Sequence, residues 1–441
     1  MNNVGKIDKN PFYIKIVQFI KYKIGSDKLI KNIAMVTGGT ALGQVINMLF
    51  SPVITRIYSP EEYGILSVFT SILLISSFSS LKYEVAIPIA KDKYEAYYLF
   101  SLSLFVLTSV TLIVGIGVYF FEDVIFQTFN AQSLQPYKYF IPLGIFFQGI
   151  YRIYKQWMFR MKNFKLVSKT KVGQTLVGNT TKVVMGLLNF GGVGLVIGRI
   201  VSVSAGSFSF YKQYRTIEFK DKRIKLAKIK EIALTYKDFP LFQSSTTAIL
   251  QFRNQFPVLF LAPLYGTQVV GLYGLASTIV KIPMTLVGQS VMDVFFAEIA
   301  SIGKDNPKEI KELSNNLLKK LIMIGTLPII LLALIGPYLF TFVFGEEWYE
   351  AGIYVRILAI YIFANFMFSP ISKIFEVFRK QYIKLLIDLT SLVIMSLVFA
   401  SAYYFNLDAR VTVFLYSVAM AMVYTATYII AQMVLNKESD K

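Results

Sequence analysis

LIMIGTLPIILLALIGPYLFTFVF, at residues 321–344, carries no charged side chain, and its run 329–335 is apolar on every face. Wound as a helix rising 1.5 Å per residue, such a stretch covers a hydrocarbon core of roughly 30 Å. Stretches of comparable length recur at 33–57, 64–81, 97–121, 139–159, 170–190 and 193–211. A second series follows at 239–264, 269–296, 352–377, 382–405 and 411–435. Together they predict an all-α integral membrane protein of about 12 transmembrane helices. Composition agrees, since 55% of the 441 residues are hydrophobic and the mean hydropathy is +0.55. A soluble domain of this length needs a more charged surface. The alternating pattern of a membrane β-barrel is absent.

The sequence has no cysteine and no histidine. Disulfides and thiolate metal sites are therefore excluded, and so is the commonest general base, proton shuttle and metal ligand. The start of the chain does not read as a cleavable signal, because the first span begins only at residue 33. Residues 11–24 place Phe12, Ile16, Phe19 and Ile20 on one helical face and Lys15 and Lys21 off it. This suits an interfacial helix on anionic lipid, and equally a basic arm without structure.

Lys and Arg near helix ends are retained on the cytoplasmic side. With the N-terminus inside, the outer loops hold only Arg56, Lys138 and Arg410 of the 45 basic residues. The same loops hold Glu61, Glu62, Glu122, Asp123, Glu346, Glu347, Glu350 and Asp408. Both termini are thus expected in the cytoplasm, and the net charge of +19 reads as topology rather than nucleic-acid binding. Arg152, Lys155 and Lys171 count with the cytoplasmic flank on this reading.

The organisation that follows is a basic arm (1–32), six spans (33–211), a basic cytoplasmic linker (212–238), six more spans (239–435) and a tail (436–441). Thr40, Ala41, Gln44 and Asn47 recur as Thr247, Ala248, Gln251 and Asn254 at one constant offset. Tyr58, Gly64 and Ile72 recur as Tyr265, Gly271 and Ile279 at the same offset. Six spans being an even number, the two halves would share orientation and be related by a pseudo-two-fold axis along the membrane normal.

Five bases fall inside spans: Lys182, Arg199, Arg253, Lys281 and Arg356. Each costs at least ~2.5 kcal/mol at a helix centre on insertion scales, so such residues face water or a partner. Arg253 and Lys281 lie deepest, Lys182 somewhat beyond the middle of its span, and Arg199 and Arg356 where snorkelling accounts for them. The acids Glu84, Asp293, Glu298, Glu376 and Asp388 sit toward cytoplasmic ends and do not obviously neutralise these bases. A net-positive midplane favours an anionic ligand such as a phosphate or pyrophosphate group.

Gln44 with Thr40 and Asn47, and Gln251 with Thr247, Gln243 and Asn254, form polar stripes at helical spacing. They suit sugar hydroxyls and, equally, an interhelical hydrogen-bonded seam. Arg253 falls roughly opposite its stripe, so both cannot face one narrow cavity without either a wider cavity or a helix break near Pro257. Pro52, Pro257, Pro283, Pro328 and Pro370 all interrupt spans. No P-loop, paired-carboxylate pocket or metal-ligand set appears, so nothing reads as an enzyme and no cofactor is implied.

Five segments carry a family resemblance. They are GGTALGQVINMLFSPVITRIYSPEEYGILSVFTSI from Gly38, KYEVAIPIAKD from Lys82 and KDFPLF from Lys237, then NQFPVLFLAPLYGTQVVGLYGLASTIVKIP from Asn254 and FGEEWYEAGIYVRILA from Phe344. In this order they resemble the polysaccharide-biosynthesis flippases of the multidrug, oligosaccharidyl-lipid and polysaccharide exporter superfamily. The resemblance implies two six-helix lobes facing each other across a cavity lined by spans one, two, seven and eight. It implies as cargo a lipid-linked oligosaccharide of the undecaprenyl-diphosphate type, moved across the bacterial plasma membrane for O-antigen or capsule assembly. Other polysaccharide-assembly proteins and membrane lipids are the implied partners.

On that resemblance Arg253 and Lys281 are the candidate diphosphate contacts, with Lys182, Arg199, Arg356, Arg56, Gln44, Asn47, Gln251 and Asn254 as further substrate-binding candidates. Glu84 and Asp293 are candidates for ion coupling. Lipid II flippases of the superfamily have 14 spans, and many of its drug exporters place an acid in span one, where 40–50 has none. A cation-coupled drug exporter or a lipid II flippase of the superfamily, and from another class a membrane-embedded glycan polymerase or scaffold, stand as the alternatives.

Overall fold

The computed structural model describes residues 28–128, 132–217 and 225–439, and the interfacial helix expected at 11–24 lies outside them. The described chain is helical and contains no strand. The first half forms α1 (Lys28–Ile57), α2 (Pro60–Ile75), α3 (Lys93–Phe120), α4 (Phe140–Arg160), α5 (Phe164–Leu187) and α6 (Gly192–Ser204). After a bend at Gly206, α7 (Ser207–Arg215) continues the sixth span. The second half forms α9 (Ser245–Ile302), α10 (Pro307–Phe344), α11 (Tyr349–Phe368), α12 (Gln381–Tyr404) and α13 (Ala409–Ser439). Between the halves lies α8 (Leu226–Thr235), which packs on α3 and accepts a hydrogen bond from Tyr83 Oη at the Ala233 carbonyl. The basic linker is therefore partly helical and docked.

Every span expected from sequence contains a helix, and the seventh and eighth are the two arms of α9. Their junction is Gly266 (φ +80°, ψ 176°), a backbone conformation that only glycine adopts without strain. None of the prolines breaks α9 or α1; Pro328 and Pro337 ride inside α10, and only Pro370 opens a 3₁₀ turn that ends its span. Of the two options for Arg253 and its stripe, the helix break near Pro257 does not occur, since α9 stays helical there.

Among the described residues, eight helical stretches are long and apolar enough to cross a membrane by length and composition alone. Helices α1, α4 and α5 are not among them. These three carry Gln44 and Asn47, Arg152 and Lys155, and Lys171 and Lys182, so their low apolarity marks a polar wall inside the bundle. The lipid side is the reverse: Phe105, Ile113, Met323, Phe342 and Leu397 are exposed, as acyl chains permit and water does not.

α1 packs on α5 and α5 on α6, while α4 contacts α3 and α6. In the second half α11 touches α9, α10 and α13. Across the middle, α2 lies along α9. Phe69 and Leu73 of α2 are completely buried in a core that also holds Leu275 of α9, Val355 and Leu358 of α11 and Val413 of α13. α2 is launched toward this position by a capping box, in which Ser59 Oγ accepts from the Glu62 amide at 3.3 Å and Glu62 Oε2 from the Ser59 amide at 2.9 Å.

The contact is closest where the acidic loops lie. A Cβ on Gly64 would stand 1.8 Å from the Thr267 carbonyl oxygen, and one on Gly271 1.7 Å from that of Pro60. These are the offset-related glycines, and they face each other across the α2–α9 crossing. Trp348 Nε1 donates to the Thr55 carbonyl at 2.9 Å and Arg56 Nη2 to that of Phe342 at 3.2 Å, closing the same end. Toward the basic end Leu42 and Val45 of α1, and Val287 and Val294 of α9, are exposed.

Candidate functional site

The polar faces of α1, α4, α5 and α6 enclose a cavity of about 430 Å³, walled on its remaining side by α2 and by Thr278, Ile279 and Ile282 of α9. Five cations line it: Arg152 and Lys155 from α4, Lys171 and Lys182 from α5, and Arg199 from α6. Among the described residues no carboxylate lines it. Lys171 and Lys182 each feel Arg199, and Lys155 feels Arg152 and Lys171, so like charges are held within electrostatic reach. Such a cluster is relieved by an anion entering the chamber.

Amides fill the space between the charges. Asn179 Nδ2 donates to Asn47 Oδ1 at 2.7 Å, and Lys182 Nζ donates to Asn179 Oδ1 at 3.4 Å. The Lys182 carbonyl in turn accepts from Tyr58 Oη at 2.7 Å, which anchors that turn of α5. Gln44, Gln148 and Gln174 complete the amide set. Arg152 spends one Nη on Ser79 Oγ at 3.0 Å, while its Nε and other Nη, the Nε of Arg199 and the Oε1 of Gln148 are buried without a partner. Groups of this kind are costly unless a ligand completes them.

Glu84 stands behind this wall. It is 1% exposed on the 3₁₀ segment Tyr83–Ile89, accepts from Ser80 Oγ at 2.7 Å, and acts electrostatically on Arg152, Lys155 and Lys82. Asp293 is elsewhere, exposed on the second arm of α9, where Gln289 Nε2 donates to it at 2.9 Å.

A second cavity of about 270 Å³ lies between α2 and both arms of α9. It shares Tyr63, Leu66, Leu74 and Thr278 with the first. Lys281 and Asn254 line it. Lys281 Nζ lies 5.9 Å from the centre of the Tyr361 ring, a cation–π distance, and has no ion pair among the described residues.

The expectation that the in-span bases lack neutralising acids fails at Arg253. Its guanidinium is ion-paired with Asp388 of α12, which also accepts from Lys384 Nζ at 2.5 Å. With α9 unbroken at Pro257, Arg253 faces α12 while Asn254 faces the second cavity. Gln251 lines neither cavity. Arg356 Nη2 donates to the Leu334 carbonyl at 2.5 Å, tying α11 to α10, and Arg56 lines an outer cleft with Glu62, Glu346 and Glu347. Of the candidates from sequence, the larger cavity thus gathers Lys182, Arg199, Gln44 and Asn47, and spans four to six replace span seven in its wall.

Arg152, Lys155 and Lys171 were the residues assigned to the cytoplasmic flank. Their signal was available, because all three fall within the limits of the fourth and fifth spans. A cost of ~2.5 kcal/mol or more for a base within a helix applied to them as well.

Removing one partner of the Arg253–Asp388 pair leaves a part-buried charge alone, at a cost of about 3 kcal/mol. Asp388→Asn is therefore expected to lower the thermal unfolding midpoint in detergent by several degrees. Arg253→Met combined with Asp388→Leu should recover much of the loss. A double variant no better than Asp388→Asn would argue against the pair as the cause.

The profile of the polysaccharide biosynthesis protein family matches residues 53–353. No curated protein sequence matches the chain. Among solved structures, the lipid II flippase MurJ in an inward closed conformation is similar with a TM-score of 0.70 at 13% identity, over 90% of this chain and 87% of that one. An inward-facing multidrug resistance MATE transporter of the MOP superfamily gives 0.65 at 16% identity, over 92% and 99%. A MOP superfamily transporter from Pyrococcus furiosus gives 0.60 at 16% identity, over 93% and 96%. At these identities the likeness concerns the fold alone, an all-α membrane architecture.

Proposed function

The chain belongs to the polysaccharide biosynthesis protein family, and we propose that within it the chain is a flippase for a lipid-linked oligosaccharide, the diphosphate of which is held in the larger cavity. The observation that carries this reading is the set Arg152, Lys155, Lys171, Lys182 and Arg199 around one chamber, with no carboxylate in its wall among the described residues. Guanidinium forks and ammonium groups bind phosphate oxygens strongly where water is sparse. Amides and hydroxyls between them, such as Gln44, Gln174 and Ser202, suit the sugar nearest the phosphate.

The path must be polar, because a sugar hydroxyl taken into hydrocarbon without a partner costs several kcal/mol. The reading places the chain in a bacterial plasma membrane with both termini cytoplasmic, so that the basic end receives the headgroup and the lipid tail stays in the bilayer. The two halves then rock about the α2–α9 crossing as two lobes. Two negative charges moving outward, as an inside-negative potential favours, gain ~4 to 5 kcal/mol per 100 mV. Potential alone can drive export on these terms, with Glu84 as the candidate for any added ion coupling.

The test is reconstitution in proteoliposomes with a fluorescent prenyl-diphosphate oligosaccharide. Protein-dependent movement between leaflets, steeper when an inside-negative potential is imposed, is the expected result. Efflux of cationic dyes with no movement of the glycolipid would favour the drug-exporter reading instead.

A further inference from the structure

The two adjoining cavities differ in chemistry. The larger concentrates five cations, whereas the smaller holds Lys281 as its one charged lining residue. Around Lys281 stand the carboxamides of Asn254 and Gln255 and the hydroxyls of Thr70, Ser277 and Thr278. Ser71 Oγ lies 2.9 Å from Gln255 Oε1 and 2.9 Å from the Ser67 carbonyl oxygen, which holds the Gln255 carboxamide against α2 at the cavity wall. Tyr63 and Tyr273 supply ring surface to the same wall. Carboxamides, hydroxyls and aromatic faces at this density bind a sugar ring, and the shared lining residues Tyr63, Leu66, Leu74 and Thr278 make the smaller space the next stop beyond the phosphate chamber.

Lys281 sets the kind of sugar. Arg253, the other deep base of α9, is neutralised by Asp388, yet Lys281 has no acid against it among the described residues. A neutral glycan would leave that ammonium unpaired when it displaces water, and a carboxylate on the glycan would pair it. We infer that the smaller cavity is a glycan subsite selective for an acidic sugar, a residue bearing a carboxylate, with Lys281 as its anion contact and Asn254 and Gln255 holding the ring. This rests on the flippase reading above and specifies its cargo.

The experiment compares two probes in proteoliposomes. One is a prenyl-diphosphate disaccharide with a neutral terminal sugar, and the other carries a uronic acid there. The native protein is expected to move the acidic probe about tenfold faster than the neutral one. Lys281→Gln should bring the ratio close to one, and Lys281→Arg should keep the preference. Lys182→Gln should slow both probes in proportion. If Lys281→Gln leaves the ratio unchanged, or lowers both probes equally, the acidic subsite is refuted while the flippase reading stands. If the native protein moves neither probe, the flippase reading falls and the subsite with it.

Discussion

Lys182→Gln combined with Arg199→Gln should reduce translocation of a prenyl-diphosphate glycan by at least about 100-fold, because each side chain offers a charge-assisted contact of ~1.5 to 3 kcal/mol to phosphate. Both residues line the larger cavity at neighbouring positions of α5 and α6, and Arg199 has a buried Nε with no protein partner. The loss should be apparent as absent surface polysaccharide when the double variant is the only copy in the cell. Stability should not fall, since removing like charges that repel each other relieves the apo chamber. Arg199→Lys is expected to retain partial activity, because an ammonium keeps the charge and loses the fork. Normal polymer from the double variant, at normal protein abundance, would remove the phosphate role from this cavity.

Gly64→Val or Gly271→Val should open the end of the bundle that carries the acidic loops. The added Cβ would stand 1.8 Å from the Thr267 carbonyl oxygen in the first case and 1.7 Å from the Pro60 carbonyl oxygen in the second. Backbone oxygens cannot rotate aside, so the helices must separate or the overlap costs several kcal/mol. Gly274→Ala is the contrast: its nearest neighbour is Ser67 Oγ at 2.4 Å, the tip of a side chain that can turn away. The chain has no cysteine, so Thr278→Cys introduces a unique thiol in the wall shared by both cavities. A membrane-impermeant maleimide applied from the acidic-loop side should label that thiol about tenfold faster or more in the valine backgrounds, and barely faster with Gly274→Ala. Equal labelling in all backgrounds would mean that the α2–α9 crossing does not gate the chamber.

The larger part of the architecture was readable before any coordinates. Charge-free stretches such as 321–344 announced membrane spans, and each of them holds a helix. The offset that relates Gly64 to Gly271 also pointed at a pair the fold brings face to face. Lys182 is recognisable by its depth and Gln44 and Asn47 by their polar stripe, whereas Arg199 stands only as an in-span base that snorkelling accounts for. Arg152, Lys155 and Lys171 are not recognisable, because their nearness to basic loops makes the positive-inside tendency look like a sufficient account.

Two decisions belonged to the tertiary structure. Arg253 and Asp388 are 135 residues apart, and only the packing of α12 against α9 reveals that one neutralises the other. The direction in which Arg152 and Lys155 leave α4 was likewise settled by which helices surround α4. Sequence measures how deep a residue sits along a helix, since hydropathy and charge vary along the membrane normal. The side of the helix that meets lipid, a partner or the chamber depends on rotation about its axis, and neighbouring helices set that rotation through contacts distant in the chain.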